Sequence, residues 1–441
     1  MQDGARSRSL GFVVAAASAG TIIEWYDFYL FGSLAVILST KFFPSQDPTA
    51  AFLLTLATFA TGFAVRPVGA LVFGRIGDLI GRKYAFLITI IIMGCGTSLI
   101  GVLPTYTMVG VLAPLLLVTL RLSQGLALGG EYGGAAIYVA EHVPDNKRGY
   151  WTSFIQTNAT VGLLISLGVI LSVRLTYGEE AFNDWGWRIP FIVSTLMVGA
   201  ALYVRWRMKE TPLFTQLKKM GKTSQSPLKD SLISKKNWRL MLIALFGAVA
   251  GEAVIWYTAQ FYALYFLQTV LKVNFVTSTT IMLIAVAIGT PFFIFFGWLS
   301  DKVGRKKILM LGFLLAAISF YPIYLGMSAF SHPVNFPVLV ALVVLQLVCA
   351  SMAYGPLAAF LVEFFPAKVR YTSLSLPYHI ANGEFGGFTP LIATSIVRVT
   401  GNIYAGLSWP ISIAVLTLVV GMKYLKETKD VKIWDEIKSN D

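Results

Sequence analysis

Runs of about twenty apolar residues, YAFLITIIIMGCGTSLIGVL and its like, recur along the whole of this 441-residue chain. A helix rises about 1.5 Å per residue, so each such run matches the roughly 30 Å hydrocarbon core of a bilayer. Only 13% of the residues are charged, about half the share in a soluble domain. Twelve spans are expected, near 10–38, 50–74, 84–103, 107–135, 150–173, 189–207, 240–268, 276–300, 307–328, 336–363, 372–397 and 403–423. The fold class is therefore an all-α membrane protein.

The net charge of +13 follows this topology rather than a nucleic-acid partner. Most Lys and Arg fall in alternate loops, on the side that also holds both termini. The positive-inside rule makes that side the cytoplasm. The leader MQDGARSRSL has no small-residue cleavage pattern, so the first span is expected to be retained. Cys95 and Cys349 lie far apart in apolar runs and suggest packing, not a disulfide or a metal site.

The longest polar interruption divides the chain into a first bundle (1–207), a linker (208–238), a second bundle (239–425) and a short tail (426–441). The halves echo each other. GRIGDLIGRK at 74–83 returns as GWLSDKVGRK at 297–306, and EHVPDNKR at 141–148 returns as EFFPAKVR at 363–370. Two matches at nearly one offset point to a duplicated six-helix unit related by a pseudo-two-fold axis, the layout of transporters that rock about a central site.

The G-x-x-x-D-x-x-G-R-K loop resembles the signature of the major facilitator superfamily. EWYDFYLFG, RPVGALVFGRIGDLIGRK, RLSQGLALGGEYGGAAIYVAEHVPDNKRG, RMKETPLF and YHIANGEFGGFTP are similar, in order, to the metabolite:proton symporter family within it. That resemblance implies proton-coupled uptake of organic acids or of zwitterionic osmolytes. It also implies that the loop residues Asp78 and Arg82 help to close the cytoplasmic side. Glu384, in ANGEFGG, departs from the pattern, where an acid is unusual.

Ionisable residues mark the middle of the membrane. Glu24 is central in span 1 and Asp27 lies about 5 Å away on the same side of the helix. Arg121 is central in span 4, Arg66 somewhat off-centre in span 2, and Glu252 and Glu384 are near the centres of spans 7 and 11. A charge at the bilayer centre costs about 2.5–3.5 kcal/mol on insertion scales. Such residues are expected to face one another or a wet cavity. Acids can shed their charge by taking up a proton; an arginine cannot and needs an anion. Arg66 and Arg121 are thus expected to hold a carboxylate, helped by Tyr26, Gln124, Asn158, Glu252 and Tyr378. Glu24, Asp27 and Glu131 are the candidates for carrying the coupling proton. The competing reading is a static bridge between the acids and the arginines. Outside the midplane, Asp78 with Arg82, Asp301 with Arg305, Glu141 with Arg148 and Glu363 with Arg370 are expected to form gating contacts. A buried, hydrogen-bonded ring is expected for His379.

No nucleophile–base pair, metal cluster or phosphate loop is evident, so neither an enzyme nor ATP drive is expected. The expectation is a carrier working as a monomer in the inner membrane without cofactor. It would move a small carboxylate with H⁺, Na⁺ being the other candidate ion. A carrier of proline or betaine is the alternative, and a non-transporting sensor a remote one. The paired arginines favour an anion, and the sequence after the last span lacks the heptads of osmosensing relatives. The predicted topology is checked by a cysteine at Ser226 in a chain lacking Cys95 and Cys349. An impermeant maleimide should label it in inside-out vesicles and leave it unlabelled in right-side-out ones.

Overall fold

The computed structural model describes residues 2–80, 82–130, 132–207, 235–366 and 370–433. The expected linker lies outside them up to residue 234, and a helix begins at Lys235. Among the described residues nine helices are individually long and apolar enough to cross a membrane. A tenth span is the pair Gly20–Ser33 and Ala35–Phe42, bent by 62°. The remaining two positions are filled by Leu87–Val102 (span 3) and by a run through Arg370–Ile380, Ala381–Gly387 and Thr389–Thr400 (span 11). Span 11 is less apolar because it carries His379 and Asn382, both buried, among its helical residues.

Small residues set how closely the spans approach, as expected where lipid provides no hydrophobic drive between helices. Gly125 of span 4 (Leu112–His142) packs on the Gly62 carbonyl of span 2 (Pro48–Phe73). In span 5 (Asp145–Tyr177), Gly162 packs on the backbone of span 1 at Ile22 and Tyr26. Between the halves, Gly149 of span 5 meets Gly297 of span 8 (Phe275–Val303), whose added Cβ would lie 2.6 Å from the Gly149 carbonyl oxygen.

The second half has irregular helices where polar residues turn inward. Span 7 (Lys235–Val270) contains π-helical turns at Leu245–Val249, Thr258–Tyr262 and Phe266–Val270, and span 11 has one at Ala381–Gly387. Such turns insert a residue and rotate the rest of the helix about its axis, and they recur at functional sites. Spans 7 and 11 pack together with Gly386 against Tyr257.

The Gly125 contact is tested by substitution. Gly125→Val should lower the stability of the purified protein by about 1–3 kcal/mol, read as a fall in Tm. Leu116→Val, on the outer surface of the same span, should leave it almost unchanged.

Candidate substrate and coupling site

Five of the six midplane groups expected from the sequence are enclosed: Glu24, Asp27, Arg66, Arg121 and Glu252 are each at most 2% exposed. Glu384 is not among them. The π-helical turn directs Asn382 inward, where its Nδ2 donates to Glu252 Oε2 at 3.2 Å, and leaves Glu384 exposed. The expectation of six converging groups is corrected to five.

The two arginines sit in different surroundings. Arg66 lies between the halves, beside the rings of Trp25 and Phe63 and within electrostatic reach of Glu252, Tyr257, Tyr378 and His379. Among the described residues none of its three guanidinium nitrogens makes a hydrogen bond of normal geometry, although the Tyr257 hydroxyl is set against it. Arg121 is boxed by Phe28, Phe31 and Phe59, with its guanidinium carbon 4.1 Å from the Phe28 ring centroid. Arene faces stabilise a guanidinium but accept no N–H in its plane. One donor of Arg121 is used, Nη1 to Gln124 Oε1 at 2.8 Å, while Nε and Nη2 are unpartnered.

Aromatic rings continue from Arg66 across the interface. Trp25 stacks on Tyr29 at 4.9 Å and Tyr29 on Trp256 at 5.3 Å, while Phe63 meets Tyr257 edge-on at 5.2 Å. Trp25 and Tyr29, four apart, share one helix face. Tyr26 occupies the neighbouring face, and its hydroxyl donates to the Pro190 carbonyl inside the first half at 2.7 Å. It is therefore committed within that half rather than presented to the interface. Gln124 is spanned by Arg121 and by Thr97, and Asn158 is buried with its Nδ2 unpartnered. Tyr378 shares a 2.8 Å hydrogen bond with Tyr354 and stacks on Tyr132 of the other half. His379 is buried, but neither ring nitrogen has the expected hydrogen bond. Glu131, and the side chains of Asp78 and Arg82, lie outside the described residues.

On the face where residues 425–433 lie, here the tail face, the halves are bridged by charge. Asp301 accepts from the backbone N–H groups of Gly149 and Tyr150, both at 2.8 Å, and pairs with Arg305 at 2.7 Å. An acid from one half thus caps the first turn of a helix in the other, where the helix dipole favours it. Arg148 pairs with its neighbour Asp145 and, at 2.9 Å, with Glu363 of the second half. Glu363 also receives Arg305 at 3.2 Å and the Thr428 hydroxyl at 2.7 Å. The expected pairing of Glu363 with Arg370 is replaced by these, and Arg370 Nε donates to the Phe365 carbonyl at 3.0 Å. Glu141 is half-buried near the same face. The tail adds Glu427, which accepts from the Arg305 and Lys306 N–H groups at 2.7 and 3.2 Å after Gly304, whose φ of 113° suits glycine.

Contacts between the halves recur on the opposite face. The Tyr265 hydroxyl donates to the Gly32 carbonyl at 2.7 Å, and Phe59 packs on Phe261. Asp47 caps the helix of span 2 through the Thr49 N–H at 2.9 Å and forms an exposed ion pair with Arg398 of span 11. Sequence signals only half of this: Asp47-Pro48 reads as a helix start, but its partner is 351 positions away.

A helical bundle of two halves that meet over buried charges and contact each other on both faces has the architecture of a major facilitator transporter. The chain belongs to the sugar (and other) transporter family, whose model matches residues 12–433. It is 34% identical to the proline/betaine transporter of Escherichia coli (strain K12), over 94% of this chain and 83% of that one. It is also 34% identical to the shikimate transporter of the same organism, over 86% of each. In fold it resembles the partially occluded inward-open xylose transporter XylE from E. coli, with a TM-score of 0.73 at 20% identity, covering 96% and 99% of the two chains.

The Asp47 carboxyl is held at about 2, below the ordinary carboxylate range, first by the hydrogen bond from Arg398 and then by the Ala50 N–H. A depressed value means the ion pair is fully formed above the ordinary carboxyl range and is lost only as pH falls through about 2. Acidifying the medium from about pH 7 to 5 should therefore leave this face latched. Spin labels at Thr40 and Thr400 should report an unchanged distance over that range, and a broader, longer distribution in Asp47→Asn at either pH.

Proposed function

We propose that this chain carries a small carboxylate-bearing metabolite across the cytoplasmic membrane together with a proton, by alternating access of the two halves to Arg66. The observation that carries the reading is the Arg66 guanidinium: fully buried, between the halves, with three unpartnered nitrogens. A buried guanidinium whose donors go unfilled is among the costliest groups a fold can keep, even with a carboxylate within electrostatic reach. A carboxylate arriving at its planar donor fork would satisfy two of those nitrogens at once. Arg121 acts deeper in the first half, and the buried acids Glu24 and Asp27 are the proton carriers of this reading. In this reading the tail-face pairs around Glu363 and the Asp47–Arg398 pair serve as the two gates, and the excess of Lys and Arg in the loops of the tail side supports a cytoplasmic tail face.

A second reading has its own observation. Glu252 stands within reach of Arg66, and Trp25, Tyr29, Trp256 and Tyr257 form an aromatic wall beside them. A carboxylate and aromatic faces together suit a cationic head, as a zwitterion such as proline or betaine would present. The relatives include carriers of both kinds by name.

Uptake of labelled shikimate, proline and glycine betaine into proteoliposomes under an imposed proton gradient, with an uncoupler control, tests both. Arg66→Ala should reduce uptake of any of these at least a hundredfold; unimpaired uptake would remove the carboxylate assignment. Glu252→Gln separates the readings. It should abolish uptake of a zwitterion and spare that of an anion.

A further inference from the structure

Asp27 and Arg121, the acid and the cation of the first half, have no hydrogen bond or ion pair to each other among the described residues, yet a line of polar groups runs from Arg121 to Thr97, beside Asp27. Arg121 Nη1 donates to Gln124 Oε1 at 2.8 Å, and Gln124 Nε2 donates to Thr97 Oγ1 at 2.7 Å. The Thr97 hydroxyl, together with that of Ser194, faces the Asp27 carboxyl. Arg121, Gln124, Thr97 and Ser194 are wholly buried and Asp27 is 1% exposed. Glycine makes room for the line: a Cβ at Gly96 would lie 2.9 Å from Gln124 Cγ.

The chemistry of each link fixes its direction. The guanidinium only donates, so the amide must turn its oxygen to Arg121 and its NH₂ to Thr97. Thr97 Oγ1 is thereby an acceptor on that side and keeps one proton to give. In this structure it gives that proton to the Met93 carbonyl of its own helix at 3.0 Å. Neither Asp27 oxygen has a hydrogen-bond partner here. An ionised Asp27 is an acceptor only and would compete with Met93 for the Thr97 proton. A protonated Asp27 keeps only a neutral carbonyl acceptor and would compete far less well.

We infer that Thr97 and Gln124 are positioning residues for proton coupling: the Thr97 hydroxyl turns toward Asp27 when that carboxyl is ionised, and Gln124 carries the change to Arg121. This rests on the transporter reading above for its place in the cycle, but the switch itself needs no substrate. Among the described residues the groups set against Asp27 are Thr97 of span 3, Ser194 of span 6 and Tyr26 on its own helix, and Glu24 lies one turn back along that helix.

The test is infrared titration of the carboxyl C=O band in proteoliposomes of the purified full chain, without substrate, with Asp27→Asn identifying the Asp27 band. Thr97→Val removes the donor to the ionised form. It should move the titration midpoint at least half a pH unit to the alkaline side, and Thr97→Ser should restore it. Gln124→Leu should move the midpoint the same way, and adding it to Thr97→Val should change nothing further, because both act along one line. An unmoved midpoint in Thr97→Val, or shifts that simply add in the double variant, would overturn the inference. A band responding as expected in a protein whose uptake survives Arg66→Ala unimpaired would uphold the switch while rejecting the carboxylate reading.

Discussion

A guanidinium that cannot discard its charge, buried out of reach of the surface, governs the organisation of this protein. Burying Arg66 and Arg121 requires compensation from every side. The first half meets the demand of Arg121 with three phenylalanine faces and one glutamine oxygen. For Arg66 the compensation comes from across the interface, where Glu252 belongs to span 7 and is steadied by Asn382 of span 11. The halves therefore meet over an electrostatic need that neither satisfies alone. The π-helical turns of spans 7 and 11 flank this region, and their irregular backbone is tolerable in a membrane because it is buried in protein.

The two faces of the bundle are held by different means. The tail face relies on a buried network in which Glu363, Arg148, Arg305 and Asp301 share partners. Truncating one member leaves another charge uncompensated, so the network behaves as a unit. Among the described residues the opposite face uses an exposed ion pair, which high dielectric and salt make weak, backed by tyrosine and phenylalanine contacts. The asymmetry makes the tail face the more strongly held of the two.

Much of this is legible in the chain. Span number and the repeat come from apolar runs and from two duplicated motifs, and the buried arginines announce themselves by standing where charge is penalised. The cap formed by Asp301 is foreshadowed by the loop motif. The illegible part depends on through-space geometry. Glu363 reaches an arginine 215 positions away, and the Asp47 partner is more distant still. An unbroken α-helical period through span 11 would place Glu384 with the inward acids; a π-helical turn changes that register. Tyr26 is one helix step from the face that matters, a difference within the uncertainty of a span boundary. Gln124 is legible as a polar residue near the site, but only the structure shows it engaged at both ends.

The segment from Leu425 to Ile433 crosses the seam between the halves. Its Thr428 hydroxyl is bound to Glu363 of the second half, and its Val431 carbonyl receives Arg148 of the first at 3.2 Å. Parting the halves on that side must peel this segment from at least one anchor. Any widening of that seam therefore shifts residues 425–433 relative to one half, which couples their position to the separation of the bundles.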